Sequence, residues 1–567
     1  MRIHIKNKKN VLKKNLRKYI SAAVSVAVFL CVMLFWLCVH PEWLNYHEQN
    51  QLFLFSWSYF VERLSLPGGL ADWMGEFLVQ FYYVPALGAA VLGLLAVVLQ
   101  RTVAAVLRVG CSDCAVVLRA AMDVLSVLPV AVLVWVSGDE NVLLSYTVAL
   151  QLSLTSFLLM RRLPWTAGFA AVPVLWWLAG PVAVVYVALR IIYAGKKEWL
   201  LLAWLVVVTV CAYRFLLTEY PFEEVVFGIS YYRIPIVLLA PKALLIVPVL
   251  LTAMFFVLEN RHVADMSAAH GRTLLFCSIA LLAVVAVSAV VNGFPKDKYE
   301  MLRQDALVRQ GRWSEIIARA ERQQPHTAFS SNAVNLALAM TGQLADRQFT
   351  FWQSGEDALI MPSVRDNMSD LPSAEAFWQL GMVNSARRYM YDIQESILNG
   401  RRSGRCMKRI AECLVADGQY GVARKYLDVL RQSLFYGGWA RQTEAMLGNE
   451  ALIAQSEDYG RVRRFRYRIN ILYSYDQIDK MFGLLFAGNT DNKLALSYFM
   501  GDMLLKGKAR EFYGYMAWVQ RYGGYAAMPA GYADALGCFQ SHGQKPGAYS
   551  EYAARMMSGQ QESSGGQ

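Results

Sequence analysis

The sequence predicts an all-α protein in two parts, a polytopic transmembrane helix bundle of about nine spans followed by an α-helical, tetratricopeptide-like domain. Three observations predict this class. Residues 20–292 contain a series of long apolar runs, and residues 293–567 change to the spacing of amphipathic helices. Only 17% of the 567 residues are charged, below the roughly 25% that is usual in soluble domains. The composition therefore excludes a single water-soluble globule.

The first element is a basic N-terminal segment, residues 1–19, which precedes the first apolar run. It holds eight Lys and Arg residues and no acidic residue, and so supplies most of the net charge of +12. The run 19–39 has about the ~20 residues that a spanning helix needs. It ends in large side chains, not in the small residues of a signal-peptide cleavage site. We expect an uncleaved anchor with a cytoplasmic N-terminus, and the charge therefore does not indicate nucleic-acid binding.

Eight further apolar runs follow, near residues 82–100, 117–137, 142–160, 164–179, 181–195, 199–218, 243–258 and 273–292. The number of spans depends on segment 164–195. This segment forms either one long helix or two short helices separated by a break at Gly180-Pro181. Two helices place Lys196 and Lys197 on the side of the N-terminus, as the distribution of basic residues favours. Nine spans then place the C-terminal domain outside, which in a bacterial inner membrane is the periplasm.

Two external segments, 40–81 and 219–242, are expected to lie at the membrane interface. The first is rich in aromatic residues and the second is interrupted by prolines, and Trp and Tyr favour the interface. These segments contain or adjoin five charged residues that we expect to form one outward-facing polar pocket: Glu42, Glu48, Arg214, Arg233 and Lys242. The alternative is that each cation extends to lipid headgroups.

The C-terminal domain, residues 293–558, shows short turns of one pattern between amphipathic helices. Gly311, Gly342 and Gly418 are each followed two residues later by an aromatic residue or Leu. This pattern resembles the turn and second helix of a tetratricopeptide repeat. An irregular helical domain is the alternative, because the spacing varies and segment 349–372 interrupts the array. Residues 559–567 are polar and rich in Gly and Ser, and are expected to be disordered.

Other motifs do not add a site. Cys111 and Cys114 form a lone CxxC pair without the further ligands that zinc needs, so no metal or cofactor is expected. Cys406 and Cys413 are too far apart along a helix for a disulfide and are read as core residues. The arginine-rich segment 461–468 favours a solvated face, with contact to anionic headgroups as the alternative. The sequence contains no phosphate-binding loop, HExxH or GxSxG motif.

Two stretches carry a family resemblance, residues 47–53 (HEQNQLF) and residues 66–88, which begin LPGGL. They resemble an uncharacterised family of multi-pass bacterial inner-membrane proteins with a helical tail, and this resemblance implies the architecture but no activity. A weaker similarity is to membrane glycosyltransferases that use polyprenyl-phosphate sugars. That similarity implies a catalytic carboxylate in the first external segment, Glu48 or Glu42.

Three functions are consistent with these features. In the first, the protein is not an enzyme, the tail binds a periplasmic protein partner in the cell envelope, and the helix bundle contacts the lipid bilayer. In the second, it transfers a sugar from a polyprenyl-phosphate lipid, Glu48 or Glu42 is the general base, and Arg214, Arg233 and Lys242 bind the lipid phosphate. A transporter is third, because the spans show no clear inverted repeat. We favour the first.

Overall fold

The computed structural model describes residues 19, 21–109, 116–228, 240–260, 268–397, 401–467 and 477–564. Within these ranges every regular element is a helix, which confirms the predicted all-α class. The chain divides into two compact units. The first comprises Met1–Tyr299 together with Leu398–Arg401, and the second comprises Glu300–Ile397 with Arg402–Gln567. The division therefore falls close to the change of composition at residue 293.

The first unit contains the apolar helices. Its helices are α1 Ser21–Val39, α2 Pro41–Gln49, α3 Trp57–Leu64, α4 Gly69–Val79, α5 Pro85–Leu107, α6 Val116–Leu125, α7 Leu128–Val136, α8 Leu144–Met160, α9 Trp165–Ala179, α10 Val184–Ala194, α11 Trp199–Phe215, α12 Phe222–Phe227, α13 Ala240–Asn260 and α14 Ala268–Asn292. Five stretches in the described residues are long and apolar enough to cross a membrane; they lie in α1, α5, α6–α7, α9–α10 and α14. Three apolar stretches are shorter: Leu144–Met160 (α8), Trp199–Phe215 (α11) and Lys242–Leu258 within α13.

The apolar run 165–194 is broken in its middle. Gly180 has a φ of 59°, which ends α9, and a four-residue 3-10 turn leads into α10. The Arg190 guanidinium on α10 donates hydrogen bonds to the carbonyl oxygens of Met160 (2.8 Å) and Leu163 (3.1 Å). Helix α10 therefore returns to the end of the unit at which α8 finishes and α9 begins.

Polar side chains join three of the apolar helices. The Ser25 hydroxyl on α1 donates to the Gln100 amide oxygen on α5 at 2.8 Å, and the Gln100 amide nitrogen donates to the Ser126 hydroxyl just after α6 at 2.8 Å. All three residues are buried. Hydrogen bonds of this kind fix the lateral packing of helices whose apolar surfaces alone give little specificity.

The segment between α1 and α5 folds into three short helices around an aromatic core. Phe53 lies in the extended stretch after α2 and is 2% exposed. Its ring contacts those of Tyr59, Trp73 and Phe77 at centroid distances of 5.4–5.6 Å. Helix α4 packs along α8. This aromatic core sets the positions of α2, α3 and α4, which carry the polar residues described below.

The second unit consists of helices joined by short turns. They are α15 Lys296–Arg309 (which crosses the division between units), α16 Trp313–Arg322, α17 Ala328–Met340, α18 Leu344–Arg347, α19 Leu371–Leu380, α20 Val383–Glu395, α21 Gly404–Ala416, α22 Tyr420–Leu430, α23 Gly437–Met446, α24 Glu450–Gln455, α25 Glu457–Phe465, α26 Ile478–Gly488, α27 Lys493–Leu505, α28 Ala509–Tyr522, α29 Ala530–Gln540 and α30 Ala548–Ser564. Consecutive helices pack in pairs, as in α19–α20, α21–α22 and α26–α27.

Among the described residues of this unit one turn recurs five times, at Gly311, Gly342, Gly381, Gly418 and Gly507. Each glycine has a φ between 65° and 85°. The N–H of the next residue donates to a carbonyl oxygen near the end of the preceding helix at 2.7–3.0 Å. This is the Schellman arrangement, in which a left-handed residue ends a helix and glycine carries no steric penalty. The next helix begins two residues after each glycine.

The interruption at 349–372 is a folded segment that is held by buried polar side chains of α17. The Asn332 side-chain amide donates to the carbonyl oxygen of Leu359 (2.6 Å), and that of Asn335 donates to the carbonyl oxygen of Ala358 (2.9 Å). Both asparagines are fully buried. At the other end of the unit, α30 extends to Ser564, and the disorder expected for 559–567 stays a prediction.

Candidate functional site

Helix α2 carries the first of the predicted site residues in a buried position. Pro41 begins the helix, and Glu42 in its first turn lies with one carboxylate oxygen 3.0 Å from Nδ1 of His40. Glu42 is 2% exposed and Glu48, one residue before the end of the helix, is 4% exposed. Both carboxylates therefore lie inside the fold, where charge is costly unless it is compensated.

The end of α2 is polar throughout although it is buried. His47 is fully buried, and its ring lies 4.0 Å from the ring of Trp43. The Gln51 amide nitrogen lies 3.2 Å from Nδ1 of His47, which orients the imidazole. Trp43 in turn lies 5.8 Å from Tyr82 at the end of the external segment. Among the described residues, Trp43 Nε1 and the Tyr82 hydroxyl have no hydrogen-bond partner.

A second group of buried ionisable residues was not predicted; we call Arg63, Asp72, Glu76 and Arg401 the charge cluster. Arg63 Nε donates to Glu76 at 3.0 Å, and Arg401 Nη1 donates to the other oxygen of the same carboxylate at 2.5 Å. The second terminal nitrogen of Arg401 donates to Asp72. The four side chains are 0–9% exposed. Two cations thus balance two carboxylates inside the first unit.

The local sequence explains how α4 presents both carboxylates. Asp72 and Glu76 are four residues apart, so they lie on one face of the helix. Gly75 lies where α4 approaches α8 closely, because a Cβ there would come within 2.7–2.9 Å of atoms of Ser145. The Ser145 hydroxyl donates to Asp72 at 2.8 Å. The close approach of α4 to α8 at Gly75 and the hydrogen bond from Ser145 therefore both hold the carboxylate of Asp72 in place.

Burial and charge set the protonation behaviour of the charge cluster. Burial raises the pKa of Glu76 above its ordinary value, and Arg63 and Arg401 oppose that shift. Burial and the neighbouring Glu76 carboxylate raise the pKa of Tyr59, whose hydroxyl donates to Glu76. Burial alone would lower the pKa of both arginines, but the carboxylates raise it. The cluster is therefore a network of engaged ions and leaves neither carboxylate available as an exposed base.

The three predicted cations do not form one described group. Arg214, in the last turn of α11, is exposed, and Arg233 lies outside the described residues. Lys242 is half-buried near the start of α13, and its Nζ lies 4.0 Å from the ring centroid of Phe227 on α12.

Lys242 lines a cavity of about 540 Å³, which we call the Lys242 cavity. Its walls come from α8, the α9–α10 break, α11, α12 and α13, and are mostly apolar. Trp176 on α9 is 1% exposed and lines it, and Trp176 Nε1 has no hydrogen-bond partner in the part of the chain that the structure describes. Neither Glu42 nor Glu48 lines this cavity. The expected pocket that combines them with Lys242 therefore stays a prediction.

The arginine-rich segment makes more internal contacts than a solvated face would. Arg461 donates to the carbonyl oxygen of Gln379 at 3.0 Å, and Arg466 donates to Asp417 at 2.7 Å. These contacts join α25 to α19 and to the end of α21. Cysteines 406 and 413 are buried free thiols, whereas Cys111 and Cys114 lie outside the described residues. No group of three metal-ligating side chains occurs among the residues that the structure describes.

Sequence reasoning missed the charge cluster, although one local signal was present. The spacing of Asp72 and Glu76 was a usable signal, because two acids one turn apart in an apolar stretch need cations. Arg401 could not be assigned to them, since 325 residues separate it from Glu76. The buried pair of Arg190 with Glu198 (2.6 Å) was missed because charged residues near helix ends normally reach solvent.

Comparison with known proteins is consistent with the family resemblance. No curated protein and no solved structure matches the chain. A family model described as a family of unknown function, DUF6057, matches residues 16–561. Because the match covers nearly the whole sequence, both units are part of the family's common architecture. The chain belongs to the DUF6057 family.

Proposed function

We propose that this protein is a multi-pass bacterial inner-membrane protein whose tail binds a protein partner in the periplasm, without catalysis. The observation that carries the proposal is the fivefold recurrence of one helix–glycine–helix turn in the second unit. Stacked helical pairs of this kind present extended surfaces that bind other proteins. The same recurrence supports a tetratricopeptide-like arrangement, with segment 349–372 as an insertion.

The proposed periplasmic placement of the tail depends on the chain crossing the membrane nine times. The return of α10 to the end where α8 finishes supports two crossings within 165–194. Lys196 and Lys197 then lie on the side of Arg161 and Arg162, in agreement with the positive-inside rule. An odd number of spans takes the chain from a cytoplasmic N-terminus to a periplasmic tail.

The buried carboxylates support a non-catalytic role for the first unit. A general base must reach the proton that it abstracts, whereas the charge cluster is buried and its carboxylates are bonded to arginines. Glu42 is buried against His40. A fixed scaffold that anchors the tail fits these contacts better than an open active site does.

The partner hypothesis is tested by site-specific photocrosslinking in cells. Tyr513 and Trp518 lie on the outer face of α28 and are 67% and 38% exposed, whereas Lys425 is a polar exposed position on α22. We expect a photoreactive phenylalanine at 513 or 518 to give one recurrent protein adduct, and the same residue at 425 to give none. The absence of an adduct at all tail positions would contradict partner binding.

Orientation is tested separately in spheroplasts. A Tyr513→Cys variant should react with a maleimide that does not cross the membrane, because the exposed side chain lies on the outer side. Reaction only after the membrane is broken would contradict a periplasmic tail, and the crosslinking result would then concern a cytoplasmic partner.

A lipid-linked-sugar transferase is the second candidate, and the Lys242 cavity is the observation that favours it. If the protein is such a transferase, Glu48 or Glu42 serves as the general base that activates the acceptor hydroxyl. The test is to replace each with Gln in cells and to analyse the envelope glycans. An unchanged glycan profile at normal protein level would remove both carboxylates from any such mechanism.

A further inference from the structure

We infer that the Lys242 cavity binds a lipid that has an anionic phosphate headgroup, with the phosphate at Lys242 and an acyl or isoprenyl chain along the apolar wall. This site is independent of partner binding by the tail. The structure brings three features together there: an apolar cavity, a cation that has no carboxylate partner among the described residues, and a buried hydrogen-bond donor.

The cavity has the size and lining for a hydrocarbon chain. Its volume is about 540 Å³, within the roughly 300–1,000 Å³ that is usual for small-molecule sites. Val206 and Val210 on α11 line it and are 56% and 46% exposed. The cavity therefore opens on the apolar surface of α11, where the chains of bilayer lipids would enter from the side.

The charge of Lys242 is not balanced by a carboxylate in the described residues. No ion pair to its Nζ occurs there, and its one aromatic contact is the Phe227 ring at 4.0 Å. A ring face stabilises an ammonium only weakly. An ammonium beside an apolar cavity gains more from a phosphate, because a charge-assisted hydrogen bond is stronger and removes the uncompensated charge.

The broken helix adds a second polar feature to the same wall. Pro181 and Val182 of the α9–α10 break line the cavity. Trp176, one turn before the break, adds the indole N–H described above, which has no acceptor among the described residues. A headgroup oxygen in the cavity would accept from this donor, which a purely apolar ligand cannot do.

The test is lipid binding to the purified full-length protein, measured by native mass spectrometry. The probes are phosphatidic acid, diacylglycerol with the same chains, and inorganic phosphate. We expect the wild-type protein to bind phosphatidic acid roughly tenfold more tightly than diacylglycerol, as one charge-assisted contact would give. Inorganic phosphate at millimolar concentration should not displace the lipid, because the chain contributes most of the buried surface.

Three variants locate the site. Lys242→Met should abolish the preference for phosphatidic acid, whereas Lys197→Met, an exposed cation outside the cavity, should retain it. Val206→Trp should reduce binding of both lipids, since the larger ring fills the mouth of the cavity from an exposed position that tolerates it. Equal thermal melting curves would show that the variants are folded.

Each alternative result overturns the inference. A preference that survives Lys242→Met, or that is lost equally in Lys197→Met, would indicate general attraction to anionic lipids. Displacement by inorganic phosphate would indicate a free-anion site. Unchanged binding in Val206→Trp would place the lipid elsewhere on the first unit.

Discussion

The charge cluster and the Lys242 cavity lie in the same unit and differ in how the protein balances buried charge. In the charge cluster, two guanidiniums meet two carboxylates, and each guanidinium lies within ion-pair distance of both acids. In the cavity, one ammonium faces mostly apolar walls and lies over the ring of Phe227. The charges of the cluster are balanced within the chain, whereas Lys242 has no carboxylate partner among the described residues. We therefore treat the cluster as structural and propose the cavity as a binding site.

The largest expected effect comes from unbalancing the charge cluster. Arg401→Met leaves two buried carboxylates, Asp72 and Glu76, with Arg63 as the one remaining cation of the charge cluster. Removing one partner of a buried ion pair costs about 3–5 kcal/mol, and we expect a comparable loss in free energy of unfolding. Thermal unfolding of the purified protein in detergent and its steady-state level in cells measure this loss.

The control for that change is the next residue. Arg402 is exposed, so Arg402→Met should leave the melting temperature nearly unchanged. Adding Asp72→Asn to Arg401→Met should restore part of the stability, because Arg63 and Glu76 then remain as one balanced pair. Equal melting of the Arg401 and Arg402 variants would show that the charge cluster is not a stabilising network.

A buried carboxylate in the second unit, that of Asp502, is only partly balanced by cations. The pH dependence of stability therefore tests how well its charge is compensated. Asp502 is 2% exposed, and Lys506 Nζ lies 2.9 Å from its carboxylate. Lys508 and Asp479 act on the same carboxyl with opposite signs. Burial raises the pKa of Asp502 from an ordinary value of 3.8 to about 6, although Lys506 opposes the shift. The folded protein therefore holds this proton more tightly than the unfolded chain does. The stability that this proton provides is complete below about pH 4 and is lost as the pH rises through about 6.

Asp502→Asn should remove this pH dependence. At about 1.4 kcal/mol per pKa unit, the variant should gain up to about 3 kcal/mol relative to the wild-type protein between pH 4 and pH 8. Chemical unfolding at the two pH values measures the difference. The control is Glu457→Gln, at an exposed position. A constant difference between Asp502→Asn and the wild-type protein would mean that Lys506 balances the carboxylate completely.

A smaller loss of stability is expected from a change in the packing that positions the charge cluster. Gly75→Ala places a methyl group against Ser145, so α4 must move from α8. Overpacking of this kind costs about 1–3 kcal/mol, and melting temperature measures it. Gly421→Ala on α22 is the matched control, because a Cβ there meets no neighbouring atom. Its expected effect is zero or slightly stabilising.

Local signals predicted much of the fold, and distant contacts limited the prediction of the site. Apolar runs and glycine turns depend on neighbouring residues, so the sequence was sufficient for the all-α class, for the break at Gly180 and for three of the five recurring turns. The turn at Gly381 was missed because Val383 is neither aromatic nor Leu. The partners of Asp72 and of Arg466 come from distant parts of the chain, and no periodicity reports such pairs.

The smallest effect is expected at Lys242 itself, and it distinguishes the two regions most directly. Because no carboxylate in the described residues depends on this ammonium, Lys242→Met should change the free energy of unfolding by only about 0.5 kcal/mol in neutral detergent. Phosphatidic acid should then raise the melting temperature of the wild-type protein but not that of the variant, because a ligand stabilises only the state that binds it. A large loss of stability without lipid would instead mean that the chain supplies its own partner for Lys242. The cavity would then be a structural element like the charge cluster.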